Sequence, residues 1–260
     1  MNEFTLFIKR LKPIKIEIYN IRFLNMKDNI ESKNIGNRKF IIELRFDHKV
    51  ILADKKGAII ERIKGLNILN PFHWEIGMAN LIIFDNTQKE KARNTIIVEL
   101  DRFSFICSKI DSIEGFYSKF DKIYAAIVKE LGALNIRRIG CRIQGTYHTK
   151  SKEFNSVFTN IKSEFPAQFY LQKYPATDML FQLNYQNGMY NIGPVKEKED
   201  TFVINNFDES YRINHVGIAI DTDNYLTNEK QPINDNQAIK DIFILSLSVE
   251  KDLYSNLKEL

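Results

Sequence analysis

Two pairs of carboxylates are the residues with the clearest potential for chemistry. Glu99 and Asp101 lie two positions apart, and Asp221 and Asp223 repeat that spacing. Residues two apart on a β-strand project from the same face, so each pair would present its carboxylates together. If the two strands were neighbours, four carboxylates could converge and bind Mg²⁺ or Mn²⁺. This pattern predicts one candidate function, a metal-dependent phosphodiester-processing enzyme.

The same carboxylates have a simpler interpretation, in which they pair with arginines on the solvent side of half-buried strands. Arg102, Arg138 and Arg142 are the candidate partners. Exposed ion pairs of this kind contribute only about 0–1 kcal/mol each. No metal or other cofactor is then required.

Polar side chains also share one face of the segment from 136 to 148, namely Arg138, Arg142, Gln144 and His148. Phe103, with Phe105, is expected on the polar face of the preceding strand. Arginine beside exposed aromatic rings on an open sheet suits phosphate contacts and base stacking. These residues therefore predict a site for an anionic or nucleic-acid-like ligand. The alternative is that another element covers this face, buries the phenylalanines and pairs the arginines.

Other reaction motifs find little support. Cys107 and Cys141 are the only cysteines, too few for a disulfide framework or a four-cysteine zinc site, and are expected to be core thiols. Neither has a nearby sequence-level base, so a nucleophilic role would need a histidine supplied by the fold. Arg142 and His148 would lie about 20 Å apart along a strand, too far for joint catalysis. No P-loop or dinucleotide-binding glycine motif occurs.

Composition is that of an ordinary globular protein. The chain has 260 residues, 44% hydrophobic and 27% charged, and a net charge of +4. The mild positive charge permits nucleic-acid contact without arguing for it. No run approaches the ~18 apolar residues of a membrane span, and the first ten residues lack the apolar stretch of a signal peptide. A cytoplasmic protein without membrane association is expected.

The elements that must position these residues centre on one unit. Residues 95–106 are predicted to form a strand, 115–134 a helix and 136–148 a second strand. The helix prediction rests on apolar residues spaced three or four apart, and Gly132 is a typical helix terminator. That apolar stripe comprises Phe116, Phe120, Ile123, Ile127 and Leu131.

Alternation and turn residues predict the remaining elements. Before the central unit, strands are expected over residues 4–24, 39–46, 50–53 and 58–63. After it, a helix is expected over 151–165, strands between 167 and 204 with a hairpin at Gln186-Asn187-Gly188, a strand over 214–222 and a helix over 235–257.

The order of these elements suggests two similar halves, residues 1–134 and 135–260, each ending in a strand and a long helix. Glu99-Leu100-Asp101 would then occupy the place of Asp221-Thr222-Asp223. We expect a single α+β domain with a mainly antiparallel sheet. The long amphipathic helices should pack on one sheet face and leave the other available.

Three short motifs are shared with a known group. They are Asp101-Arg102-Phe103, Arg138-Ile139-Gly140-Cys141-Arg142 and the segment from Ile220 to Tyr225, Ile-Asp-Thr-Asp-Asn-Tyr. With these motifs, residues 95–260 resemble a sporadically distributed, uncharacterised prokaryotic family of similar length. The family commonly has an aromatic residue where this chain has Ile143. The resemblance implies a prokaryotic or mobile-element source but no known activity, cofactor or catalytic residue.

Three functions follow from these observations. The first is a non-enzymatic binding or interaction protein that uses the polar sheet face. The second is the metal-dependent enzyme described above. The third, motivated only by the sporadic distribution of the family, is a component of antiviral defence or of a toxin–antitoxin pair that acts through a protein partner. The sequence leaves the ligand, the oligomeric state and the question of catalysis open.

Overall fold

The computed structural model describes residues 28, 30–110, 112–151, 153–164, 180–185, 187–195, 216–228, 230–233 and 236–259. The strand predicted over residues 4–24 lies outside these residues.

The described strands form one nine-stranded sheet in which every neighbouring pair is antiparallel. The order across the sheet is β2-β3-β4-β5-β1-β6-β9-β8-β7. The strands are β1 (Ile35–Phe46), β2 (His73–Ile76), β3 (Asn80–Phe84), β4 (Asn94–Glu99), β5 (Arg102–Cys107), β6 (Ile136–His148), β7 (Phe181–Tyr185), β8 (Gly188–Val195) and β9 (Gly217–Thr227).

The described part of the chain also contains four α-helices, which pack on one face of the sheet. They are α1 (Leu52–Lys64), α2 (Ile113–Leu131), α3 (Phe154–Glu164) and α4 (Asn236–Leu257). The main core joins α1, α2 and α4 to β1, β4, β5 and β6, and a second cluster joins α3 and α4 to β8 and β9. Within these ranges, no helix has both the length and the apolarity to cross a membrane.

The sheet order confirms two pseudo-symmetric halves. The first described strands of the halves, β1 and β6, pair at the centre, and each is flanked by the strand that precedes a long helix, β5 or β9. Beyond them lie β4 and β8, then β3 and β7. The predicted boundary near residue 134 falls in the link between α2 and β6. That the whole chain is a single domain stays a prediction.

The strand predicted over residues 95–106 is instead a hairpin of β4 and β5, turning at Leu100 and Asp101. The carbonyl groups of these turn residues accept hydrogen bonds from the N–H groups of Lys49 and Phe46, respectively, just beyond and at the end of β1. The turn therefore depends on distant contacts, and its residues carry no glycine or asparagine signal. The matching of Glu99-Leu100-Asp101 with Asp221-Thr222-Asp223 is consequently wrong, because β5, and not β4, occupies the place of β9.

The strands predicted over 50–53 and 58–63 are also wrong, since residues 52–64 form helix α1. Leu52, Lys56, Ile59, Ile60 and Ile63 are buried on one side of this helix. Their spacing follows the helical period, which the short apolar runs concealed. By contrast, β6 has the predicted bounds. Helix α2 is close to its predicted range, and its N-terminal Ser112 side chain accepts a hydrogen bond from the Gly115 N–H.

Candidate functional site: the helix-free face of the sheet

The side of the sheet opposite the four described helices is called here the helix-free face, a name that refers only to the part of the chain that the structure describes. Alternation along β6 decides which side chains reach it. Ile139 and Cys141 are buried in the core, whereas Arg138 and Arg142 project from the other side. Gly140 lies between the two arginines, and the Arg138 guanidinium lies over it. The Arg-Ile-Gly-x-Arg motif thus contributes side chains both to the core and to the helix-free face.

Three arginines lie side by side on this face and are named here the arginine row. Arg45 of β1 is directly opposite Arg102 of β5 on one side and Arg138 of β6 on the other. Adjacent strands are about 4.8 Å apart. Like charges directly opposite each other destabilise a sheet, so this arrangement needs compensating negative charge.

One carboxylate, Glu43, supplies much of that compensation. It accepts hydrogen bonds from Arg45 Nε at 2.8 Å and Arg138 Nη1 at 3.0 Å, and Arg102 Nη1 is 3.6 Å away. Arg102 also donates two hydrogen bonds to Glu99, at 2.8 and 2.9 Å. Three guanidinium groups therefore share a single central carboxylate.

A second ion pair lies farther along β6. Arg142 donates two hydrogen bonds to Asp221, at 2.8 and 2.6 Å, and the Asp221 side chain is buried. These hydrogen bonds raise the pKa of Arg142. Asp223 is 3.6 Å from Arg138, and burial raises its pKa although Arg138 and Arg142 oppose that shift. The predicted pairing with arginine is observed for Glu99, Asp221 and Asp223, which contact Arg102, Arg142 and Arg138, respectively.

The convergence of four carboxylates is not observed. Strands β4 and β9 are separated by β5, β1 and β6, so Glu99 lies roughly 19 Å from Asp221 and Asp223 across the sheet. Asp101 is in the β4–β5 turn, where its carboxylate is 3.8 Å from His48. Within the described ranges, no three His, Cys, Asp or Glu side chains are grouped to hold a metal ion. The premise that the two carboxylate-bearing strands are neighbours is therefore wrong.

This separation leads to a measurable expectation for divalent ions. Millimolar Mg²⁺ or Mn²⁺ should leave the melting temperature of the protein unchanged, because Asp221 and Asp223 already contact arginines. Differential scanning fluorimetry with matched ionic strength would measure this, with Ca²⁺ and Na⁺ as controls. A saturable rise in melting temperature with Mn²⁺ that disappears in Asp223→Asn would contradict the expectation.

The placement predicted for Phe103 and Phe105 is also wrong. Both rings are fully buried on the helix-covered side. Phe103 stacks on Phe120 of α2 with ring centroids 5.8 Å apart, and Phe105 stacks on Phe116 at 5.2 Å. Alternation along β5 places Arg102, Ser104 and Ile106 on the helix-free face. The rings stabilise the core and offer no stacking surface to a ligand.

Gln144 and His148 do not join the arginine row. Gln144 is buried and lies opposite Asp221. His148 is the last residue of β6, ten positions from Arg138, or about 33 Å along the strand. It lines a separate pocket with Tyr254 and Lys258 at the end of α4. The predicted polar row therefore spans more than one site.

The cysteines are buried, as predicted. Burial raises the pKa of the Cys141 thiol to about 12, so the thiolate required of a nucleophile is scarce at neutral pH. The Cys107 thiol donates a hydrogen bond to the Lys109 carbonyl at 3.1 Å. These surroundings fit structural thiols.

A buried ionic network was missed by the sequence reasoning. On the helix-covered side, Arg38 of β1 donates hydrogen bonds to both carboxylate oxygens of Glu250 in α4, and Tyr147 of β6 donates to one of them. Arg38 also donates to Asp28 at 2.6 Å. Burial and the nearby Glu250 charge raise the pKa of Tyr147 well above its ordinary value. Two features of the sequence indicate this network. Arg38 immediately precedes the strand predicted over residues 39–46 and is in phase with its core-facing residues, and Glu250 lies within the apolar stripe of a predicted helix.

Fold and face together define a class: a helix-backed antiparallel α+β sheet with a charged helix-free face. No protein-family model and no curated protein matches the chain, which is consistent with the resemblance to an uncharacterised family. A similar solved structure is the aspartate kinase of Clostridium acetobutylicum, with 12% identity and a TM-score of 0.21. The match covers 83% of this chain and 36% of the kinase chain. The chain therefore spans about a third of that structure.

Proposed function

We propose that this protein is a non-enzymatic binding protein whose helix-free face takes an anionic ligand at the arginine row. The observation that carries the proposal is the sharing of Glu43 by Arg45, Arg102 and Arg138 on three adjacent strands. Glu43, Glu99 and Asp223 together do not satisfy all the donors of the three guanidinium groups, since each guanidinium has five N–H donors. A phosphate or carboxylate group would supply the missing acceptors.

The accessibility of the arginines supports this proposal. The Arg45 side chain is 55% exposed and that of Arg102 is 36% exposed. Glu43 and Glu99 hold the guanidinium groups in place before a ligand arrives, which lowers the entropy lost on binding. Guanidinium groups recognise carboxylates and phosphates through paired hydrogen bonds.

Arginine substitutions test the proposal. In Arg45→Gln and in Arg102→Gln, binding of a fluorescein-labelled poly-glutamate peptide should weaken about tenfold, because a charge-assisted hydrogen bond of about 1.5 kcal/mol is lost. Fluorescence anisotropy at low and high salt measures the dissociation constant. A single-stranded oligonucleotide serves as the phosphate-containing probe.

Arg62→Gln is the matched control, since it removes one partly exposed arginine paired with Glu130 on the helix-covered side. It should leave the affinity within about twofold of the wild type, apart from the small long-range effect of net charge. Equal affinity of all variants for both probes would contradict the proposal. A prokaryotic or mobile-element setting, a role in defence and a nucleic-acid ligand remain parts of the proposal that rest on the resemblance and on charge.

A further inference from the structure

The helix-free face also carries an apolar patch beside the arginine row, named here the isoleucine patch. It consists of Ile41, Ile82, Ile97 and Ile106 on β1, β3, β4 and β5. Ile82 is directly opposite Ile97, and Ile41 is directly opposite Ile106. The four side chains are only partly buried, whereas their sequence neighbours on these strands form the helix-covered core.

The patch adjoins the arginines at regular steps along the strands. Ile97 lies two residues before Glu99 on β4, a step of about 7 Å along the strand. Glu99 accepts hydrogen bonds from Arg102. Ile41 is four residues before Arg45 on the same strand, or about 13 Å. A ligand that spans both surfaces must combine acidic groups with apolar ones.

We infer that the ligand is an acidic amphipathic helix of a partner protein, an inference that rests on the proposed function and names its ligand. Helical residues four and eight positions apart are separated by about 6 and 12 Å along the axis. These steps match the distances along the strands from the level of the arginine row to the pair Ile82 and Ile97, about 7 Å, and to the pair Ile41 and Ile106, about 13 Å. Acidic side chains at one end of the helix would contact Arg45 and Arg102, and its apolar stripe would cover the isoleucine patch.

The chemistry of the face favours a protein segment over a nucleic acid. Single-stranded nucleic acids bind by stacking bases on exposed aromatic rings. Phe103 and Phe105 are buried on the helix-covered side of the sheet. The ring of Tyr225 is partly buried and already has the Arg138 guanidinium over it, 5.0 Å from the ring centroid. An apolar centre bordered by arginine is the usual composition of a protein–protein interface. The arginines already bind carboxylates within the chain.

The test uses the full-length protein and two synthetic helical peptides with the same leucine and alanine stripe. One peptide carries glutamate at one end and the other carries glutamine there. The acidic peptide should bind at least about tenfold tighter than the glutamine peptide.

Binding of the acidic peptide should weaken about tenfold in Ile97→Thr/Ile106→Thr, since buried methyl groups are lost while β-branching is kept. Ile76→Thr on β2, where the side chain is 55% exposed, is the matched control and should bind normally.

Arg45→Gln separates this inference from the proposed function. If Arg45→Gln weakens peptide binding and the double threonine variant does not, the amphipathic-helix inference is wrong and the anionic site stands. If neither variant weakens binding, both are wrong. Tighter binding of an oligo(dT) strand than of the acidic peptide would identify a nucleic-acid ligand and overturn the inference. Self-association that disappears in the double threonine variant would overturn it in favour of a second copy of this chain.

Discussion

Replacing Glu250 with leucine is expected to lower the free energy of unfolding by about 3–5 kcal/mol, the usual cost of removing one partner from a buried ion pair. Arg38 donates hydrogen bonds to both Glu250 oxygens, and Tyr147 donates to one of them. All three side chains are buried between β1, β6 and α4. In Glu250→Leu, the Arg38 guanidinium keeps its contact with Asp28 but loses the acceptors on α4. Urea unfolding followed by circular dichroism measures the change.

Two further variants make this expectation specific. Glu75→Leu removes an exposed carboxylate that pairs with Lys89 at 2.9 Å, and should cost no more than about 1 kcal/mol. The triple variant Arg38→Met/Tyr147→Phe/Glu250→Leu should recover most of the loss, because a well-packed apolar replacement removes all the unpaired groups together. A cost for Glu250→Leu no larger than that for Glu75→Leu would show that the network is not a stabilising contact.

Replacing Phe103 with alanine is expected to cost about 3–5 kcal/mol of stability, as for other buried phenylalanines. The ring is fully buried and stacks against Phe120 and Tyr124, with centroids 5.8 and 6.4 Å away. The substitution leaves a cavity between β5 and α2 that the rigid sheet closes only partly. Thermal and urea unfolding measure the loss.

The matched control is Trp74→Ala, which removes a larger aromatic ring from the edge strand β2, where it is 47% exposed. It should cost less than half as much as Phe103→Ala, because much of its surface stays in water in the folded protein. A stability of Phe103→Ala close to wild type, together with weaker binding of an anionic probe, would place Phe103 in a ligand site after all.

Elements with long, regular patterns could be predicted from the sequence. Strand β6 has the predicted bounds because residues 138–148 project alternately from the two faces of the sheet. The sequence predicts helices α2 and α4 because their apolar stripes extend over several turns. The prediction of short elements is wrong because their patterns are too short to show one period. The apolar runs of α1 fit both periods, and the β4–β5 turn has no glycine to reveal it.

The candidate site was only partly predictable. Alternation along β6 correctly predicts that Arg138 and Arg142 lie on the face opposite the core, but it does not reveal Arg45 and Glu43 as their neighbours. Arg45, Arg102 and Arg138 come together because β1 pairs with both β5 and β6. No local pattern contains that pairing, since it is decided by the packing of the two halves around β1 and β6.

The sequence by itself determined the α+β class, the two halves with their long helices, and the side of β6 on which each residue lies. These features depend on periodicity within one segment, which the chain carries locally. Only the tertiary structure decided that Glu99 and Asp221 lie far apart, that Phe103 belongs to the core, and that three arginines share Glu43. Those results depend on strand order and hairpin position, which are set by burial of apolar surface between residues distant in the chain.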